Sequence, residues 1–447
     1  MSIELVVISI LIGFMLGVFS GLIPGIHTNT FAMILVATSP FFIEIGIQPK
    51  YIAIVILSNS ITHTFHDIIP SIFLGAPESD MALAVLPGHR LLLDGHGAEA
   101  IRLSAIGSAG SIIISLMLVF PISLFFSFAY STLRAYIVWI LIFIVIAMIL
   151  SEKGDYVRGD GVVAFYKYKL YALIVFVLSG ILGKFAFETE HMIYPIIELP
   201  GGSVLLPLLS GLFGASHLII SLFTTSIIPL QHNSKISLKG SRIINSIIKG
   251  SIAGSIVAWI PGISSAIATV ILNLFKKEEI RNSMSENSLI ITQESGITDS
   301  AKEFIIAISS VNTANAMFGI FALYIIGRTR SGAMVAIDLL IGGDAIDISM
   351  IILFLFVISF AALLSYFSTI KIGDNIHHIL SKIEYSKISI LVIISLIMTV
   401  IIFTGVYGFL IFIISTTIGM LSSFMKIRKS HAMGVILLPV IIFFMSI

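Results

Sequence analysis

The chain has 447 residues, of which 57% are hydrophobic and only 11% charged, against about 25% charge in an ordinary soluble domain, so a water-soluble fold is excluded. A net charge of +1 gives no global field for nucleic acid or an acidic partner. The absence of cysteine removes disulfides, thiolate metal sites and cysteine nucleophiles.

Apolar residues come in runs of roughly 18 to 28, and about 20 residues of helix cross the hydrocarbon core of a bilayer. The runs at 112–128 and 136–150 show no polar/apolar alternation, which rules against a β-barrel. The expected fold is therefore an all-α integral membrane protein with roughly 10 to 12 transmembrane helices plus broken or re-entrant ones.

In chain order, the expected segments run 4–22, 28–43, 51–74, 101–130, 133–150 and 170–187. The series continues at 203–229, 247–260, 263–275, 303–327, 332–342, 348–370, 387–405, 407–424 and 432–446. The first lacks a basic leader and is expected to be a retained membrane segment, not a cleaved signal. Stretch 276–302, rich in Ser, Asn, Glu and Lys, reads as a polar loop. Basic residues gather at 153–169, 235–249, 276–281, 371–387 and 426–429, which assigns these loops to the cytoplasmic side of the cell membrane.

Two of the interruptions are alike. Ile23-Pro24-Gly25-Ile26 and Ile260-Pro261-Gly262-Ile263 share a glycine seven positions before the proline, Gly17 and Gly254, and a hydroxyl four positions after it, Thr28 and Ser265. Proline lacks the backbone donor and glycine accepts positive φ, so each pair stops a helix and frees backbone carbonyls and amides. The new helix start can hold an anion, and the freed carbonyls a cation. His27, Thr28, Asn29, Ser264 and Ser265 add polar side chains at these starts. Repetition divides the chain into halves 1–230 and 231–447, each with one break, as in transporters built on a two-fold, inverted repeat. A plain kink is the competing reading of each break.

Polar clusters inside apolar segments follow both breaks, at Ser58–Asp67 and Ser309–Asn315. Asn59, His63 and His66 share a helix face, and His63 and Asp67 are i,i+4 neighbours, a set suited to handling a cation or protons. Mutual satisfaction between helices is the alternative, and it applies equally to Asn312 and Asn315. The spacing His63-x-x-His66 lacks the glutamate of a zinc-hydrolase motif, so no metal or other cofactor is expected beyond a coupling Na+ or H+. Among the charges near 78–102, Arg90 and Arg102 can pair with a carboxylate, or can belong to a solvated basic loop.

The stretches GLIPGI at 21–26, LGAPESDMALAVLPGHRLLLDGHGAEAIRLSAIGS at 74–108, SGLFGASHLIISL at 210–222 and IPGISSAIA at 260–268 resemble the large membrane subunit of tripartite tricarboxylate transporters, the TctA type. The likeness spans most of the chain. It implies secondary transport of a small organic anion, driven by an ion gradient, with a small membrane subunit and an extracytoplasmic binding protein as partners. It adds Gly75 and Pro77 to the expected binding residues, in a turn that reads Leu74-Gly75-Ala76-Pro77 where the family has Asn-Thr-Pro-Gly. The chain is thus expected to be a transporter and not an enzyme, with a homodimer left open as its assembly. A flippase for an anionic lipid head group and an intramembrane metal-dependent hydrolase using His63, His66 and Asp67 are the alternatives.

Overall fold

The computed structural model describes residues 2–23, 28–73, 81, 85–152, 161–196, 204–223, 231, 236–260, 265, 268–269, 272, 292–329, 331–342, 346–380 and 385–446. Every extended element among them is a helix. The first half holds α1 (Ile3–Leu22), α2 (Thr28–Glu44), α3 (Pro49–His66), α4 (Ile68–Phe73), α5 (Val85–Leu93), α6 (Gly97–Ala135), α7 (Ile137–Leu150), α8 (Gly161–Glu188), α9 (Leu205–Leu209) and α10 (Ser216–Phe223). The second holds α11 (Gly240–Val257), α12 (Thr292–Ile326), α13 (Gly332–Ile341), α14 (Ile348–Leu380), α15 (Tyr385–Phe424) and α16 (Gly434–Met445).

Among the described residues, 7 helices are long and apolar enough to cross a membrane: α1, the α3–α4 unit, α6, α8, α12, α14 and α15. Shorter apolar helices, including α7 and α13, lie among them. Large side chains such as Ile8, Met15, Phe120, Phe143 and Phe367 are exposed on the outside. Serines, threonines, asparagines and histidines are buried instead, because lipid welcomes the apolar surface and offers polar groups no partner.

Helices approach through small residues. A Cβ added at Gly13 would stand 2.4 Å from the Val55 carbonyl oxygen, one at Gly17 2.5 Å from Thr62 Cβ, and one at Gly21 2.7 Å from His66 Cβ. Contact positions rise together, so α1 and α3 run parallel with backbones in near contact. The second half repeats this mode: Cβ atoms at Gly250 and Gly254 would meet the carbonyl oxygens of Ala307 and Val311 at 2.6 and 2.4 Å, setting α11 parallel against α12. Helix α6 joins the halves. Its Ser104 Oγ lies 2.7 Å from Ser309 Oγ, and Ser111 Oγ donates to the Ser310 carbonyl at 2.8 Å.

Two features depart from the expected boundaries, and a third agrees with them. Helix α12 begins at Thr292, inside the stretch read as loop, because polar composition does not separate a helix projecting into water from irregular chain. Expected segment 203–229 contains a π-helical turn, Ser210–Ala215, between α9 and α10. The expected boundary between the 387–405 and 407–424 segments is present as a kink within α15 at Gly405, where φ is 65°. A side chain there would also press within 2.2 Å of the Tyr194 carbonyl oxygen.

Candidate functional site

Helix α3 is buried along most of its length, yet its second half is polar: Ser58, Asn59, Ser60, Thr62, His63, Thr64 and His66 all lie inside. The helix pauses at Asp67. Pro70 has no N–H to return to the His66 carbonyl four residues earlier, while the Asp67 carbonyl accepts from both the Ser71 N–H at 3.4 Å and Ser71 Oγ at 2.6 Å. This arrangement holds a carboxylate, 2% exposed, between α3 and α4.

Asn312 Nδ2 donates to Asp67 Oδ2 at 3.0 Å, and the hydroxyls of Thr64 and Thr313 stand 3.3 Å apart. The two polar clusters read from the sequence therefore meet, α3 against α12. Each also reaches back to the hydroxyl four positions after a Pro-Gly proline, Thr28 or Ser265. Thr28 Oγ1 donates to Asn59 Oδ1 at 3.2 Å, and Asn315 Nδ2 donates to Ser265 Oγ at 3.1 Å. The Asn59 amide nitrogen is buried without a hydrogen-bond partner, which leaves a donor available in a dry site.

The histidines diverge. His63 Nδ1 lies 3.0 Å from Ser20 Oγ on α1. His66 bonds its own helix through Nδ1 to the Thr62 carbonyl at 2.8 Å, and α14 through Nε2 to Ser368 Oγ at 2.9 Å. Among the described residues, no group of three or more His, Asp or Glu is arranged to hold a metal.

Other expected site residues fall elsewhere. Pro24, Gly25, His27, Gly75, Pro77, Pro261, Gly262 and Ser264 lie outside the described residues, as does the Asn29 side chain. Arg90 is exposed on α5, outside the buried cluster. Arg102 is engaged by Asp374 of α14, Nε to Oδ1 at 2.7 Å, and is not held ready for a ligand carboxylate.

Sequence reasoning missed a charged knot at the N-terminal ends of α6, α11 and α12. Lys302 Nζ donates to Glu99 at 2.8 Å and to Ser237 Oγ at 2.6 Å, and the Ser237 amide donates to Glu99 at 2.8 Å. Arg242 binds both Asp299 and Glu303. Lys302 was read as part of a solvated stretch, and nothing in its neighbours distinguishes the two cases. Ser20 and Ser368 were also missed, since a lone hydroxyl in an apolar run carries no signal of its partner.

A multi-pass helical bundle whose buried seam joins α3 and α12 by hydroxyl, amide and carboxylate groups is a polytopic membrane protein, and its family places it in the transporter class. Residues 7–434 match the family described as the tripartite tricarboxylate transporter TctA family, and the chain belongs to it. It is 27% identical over 445 residues to an uncharacterized protein of Methanocaldococcus jannaschii, with 98% of each chain covered. No solved structure matches the chain.

Proposed function

We propose that this protein is a secondary active transporter of a small organic anion, a tricarboxylate-like carboxylate, bound between the two breaks and moved by a Na+ or H+ gradient. One observation carries the reading: the hydroxyl four positions after each Pro-Gly proline, Thr28 or Ser265, bonds an asparagine of the following long helix, Asn59 or Asn315. The Asp67–Asn312 bond joins those same long helices. In this proposal the two halves, 1–230 and 231–447, are copies of one inverted repeat. Their matched glycine contacts, α1 on α3 and α11 on α12, support it. The available Asn59 amide and the first-turn N–H groups of α2 would face the anion, and Asp67 the coupling cation. In this proposal a small membrane subunit and an extracytoplasmic binding protein complete the assembly, consistent with membership of a tripartite transporter family.

A hydrolase reading has less support, since among the described residues no group of three or more His, Asp or Glu is placed to hold a metal. The test is uptake of labelled di- and tricarboxylates into proteoliposomes under imposed Na+ or pH gradients. Uptake that responds to the gradient and is lost in D67N, N59A and N315A supports the proposal. No gradient-dependent uptake of any carboxylate by folded protein, with its accessory subunits supplied, sinks it.

A further inference from the structure

The last turn of α1, the short α4 and the end of α14 enclose a crevice of about 480 Å³. Its walls are Leu22, Ile69, Pro70, Ile372 and Ile376. Two polar residues lie at the α14 wall, Lys371 and Asn375, one helical turn apart. Lys371 is exposed, and among the described residues no carboxylate lies within ion-pair reach of it. Asp374, the acid of that turn, is taken by Arg102. Asn375 Nδ2 donates to the Lys371 carbonyl at 2.7 Å, which fixes the turn beneath the ammonium group.

Apolar walls with a single cation at the edge are poor for a free carboxylate, which needs several donors, and poor for water, which needs polar partners. They match a molecule with an acyl chain and an anionic head. Position agrees: the apolar span of α14 runs Ile348–Ile376, so Lys371 stands near its end, at the depth where head groups begin. The basic stretch 371–387, which begins on the last turns of α14, is of the kind that faces the anionic cytoplasmic leaflet.

We propose that this crevice is a binding site for one anionic phospholipid, with an acyl chain between α1, α4 and α14 and the phosphate on Lys371. Such a lipid would brace the two ends that flank the first break and Asp67, since Leu22 precedes Pro24 by two positions and Pro70 follows Asp67 by three. The site stands independently of the transported substrate.

The experiment is native mass spectrometry of the full-length protein, delipidated and then offered phosphatidylglycerol or phosphatidylcholine. Wild type should keep one phosphatidylglycerol in preference to phosphatidylcholine, and K371Q should weaken that retention about fivefold, the scale of one lysine at a membrane surface. K167Q, an exposed lysine on α8, should leave it unchanged. Retention equal in wild type and K371Q, or no preference between the lipids, overturns the proposal. Displacement by soluble glycerol phosphate as effectively as by lipid also overturns it, because the site would then take a free anion. K371Q is a surface change, and thermal melting confirms folding for each variant.

Discussion

Asn312 and Asp67, 245 positions apart, share a 3.0 Å hydrogen bond in which the amide of one half of the chain donates to the carboxylate of the other. Both side chains are buried, so neither has water as a substitute partner. The bond links the cluster that follows the first break with the one that follows the second. It also places a buried carboxylate at the junction of α3 and α12.

Removing the donor with N312A should cost about 1.5–3 kcal/mol, the range for a hydrogen bond to a charged group. N312A and D67N should be strongly non-additive in a double-mutant cycle read by unfolding in detergent. A coupling near zero would show that the two side chains do not sense one another.

Glycine contacts between α1 and α3, and between α11 and α12, should tolerate no side chain. G17L and G254L would drive atoms onto Thr62 and the Val311 carbonyl, and overpacking of this kind costs about 1–3 kcal/mol. G240A has open space at its Cβ and should melt like wild type. Equal melting temperatures for G17L, G254L and G240A would refute the close approach.

Glu99 and Lys302 form a buried ion pair, their side chains 0% and 3% exposed. K302M alone should destabilise by about 3–5 kcal/mol, because it leaves a buried carboxylate short of its cation. E99Q/K302M should recover much of that loss. If the double variant is worse than K302M, the pair is not the source of the effect.

Asp347 caps α14. Its Oδ1 accepts from the Met350 amide at 2.8 Å, and Ser349 Oγ also donates to the carboxylate, which holds the carboxyl below the usual aspartate range. A pKa lowered by folding means that the cap's contribution is complete above the unfolded value and disappears as pH falls through the folded one. Hydrogen exchange at Met350 should therefore be slower in wild type than in D347A at neutral pH, with the two converging in strong acid. A difference that persists in strong acid would point to a cause other than the carboxylate.

Much of the architecture was readable because the bilayer enforces it. Segments 4–22, 28–43 and 51–74 correspond to α1, α2 and the α3–α4 unit within a few residues. The boundary near 405 coincides with a glycine at positive φ. The π-helical turn at Ser210–Ala215 was not readable, since apolar composition suits i→i+4 and i→i+5 hydrogen bonding alike. Arg102 could be placed only as a cation near a turn, and its partner Asp374 sits on a helix far along the chain.

By itself the sequence determined that helices cross a membrane, and that a polar cluster follows each of the two Ile-Pro-Gly-Ile stretches. Length, hydropathy and the missing proline donor act locally, and each can be read within one turn or one span of chain. Tertiary structure alone decided that Thr28 meets Asn59, that Ser265 meets Asn315, that Asp67 accepts from Asn312, and that His63 meets Ser20 of α1 and His66 meets Ser368 of α14. Hydrogen bonds reach only about 3 Å. Which polar groups fall within that reach depends on how helices separated by hundreds of residues pack, and in this protein glycine contacts set that packing.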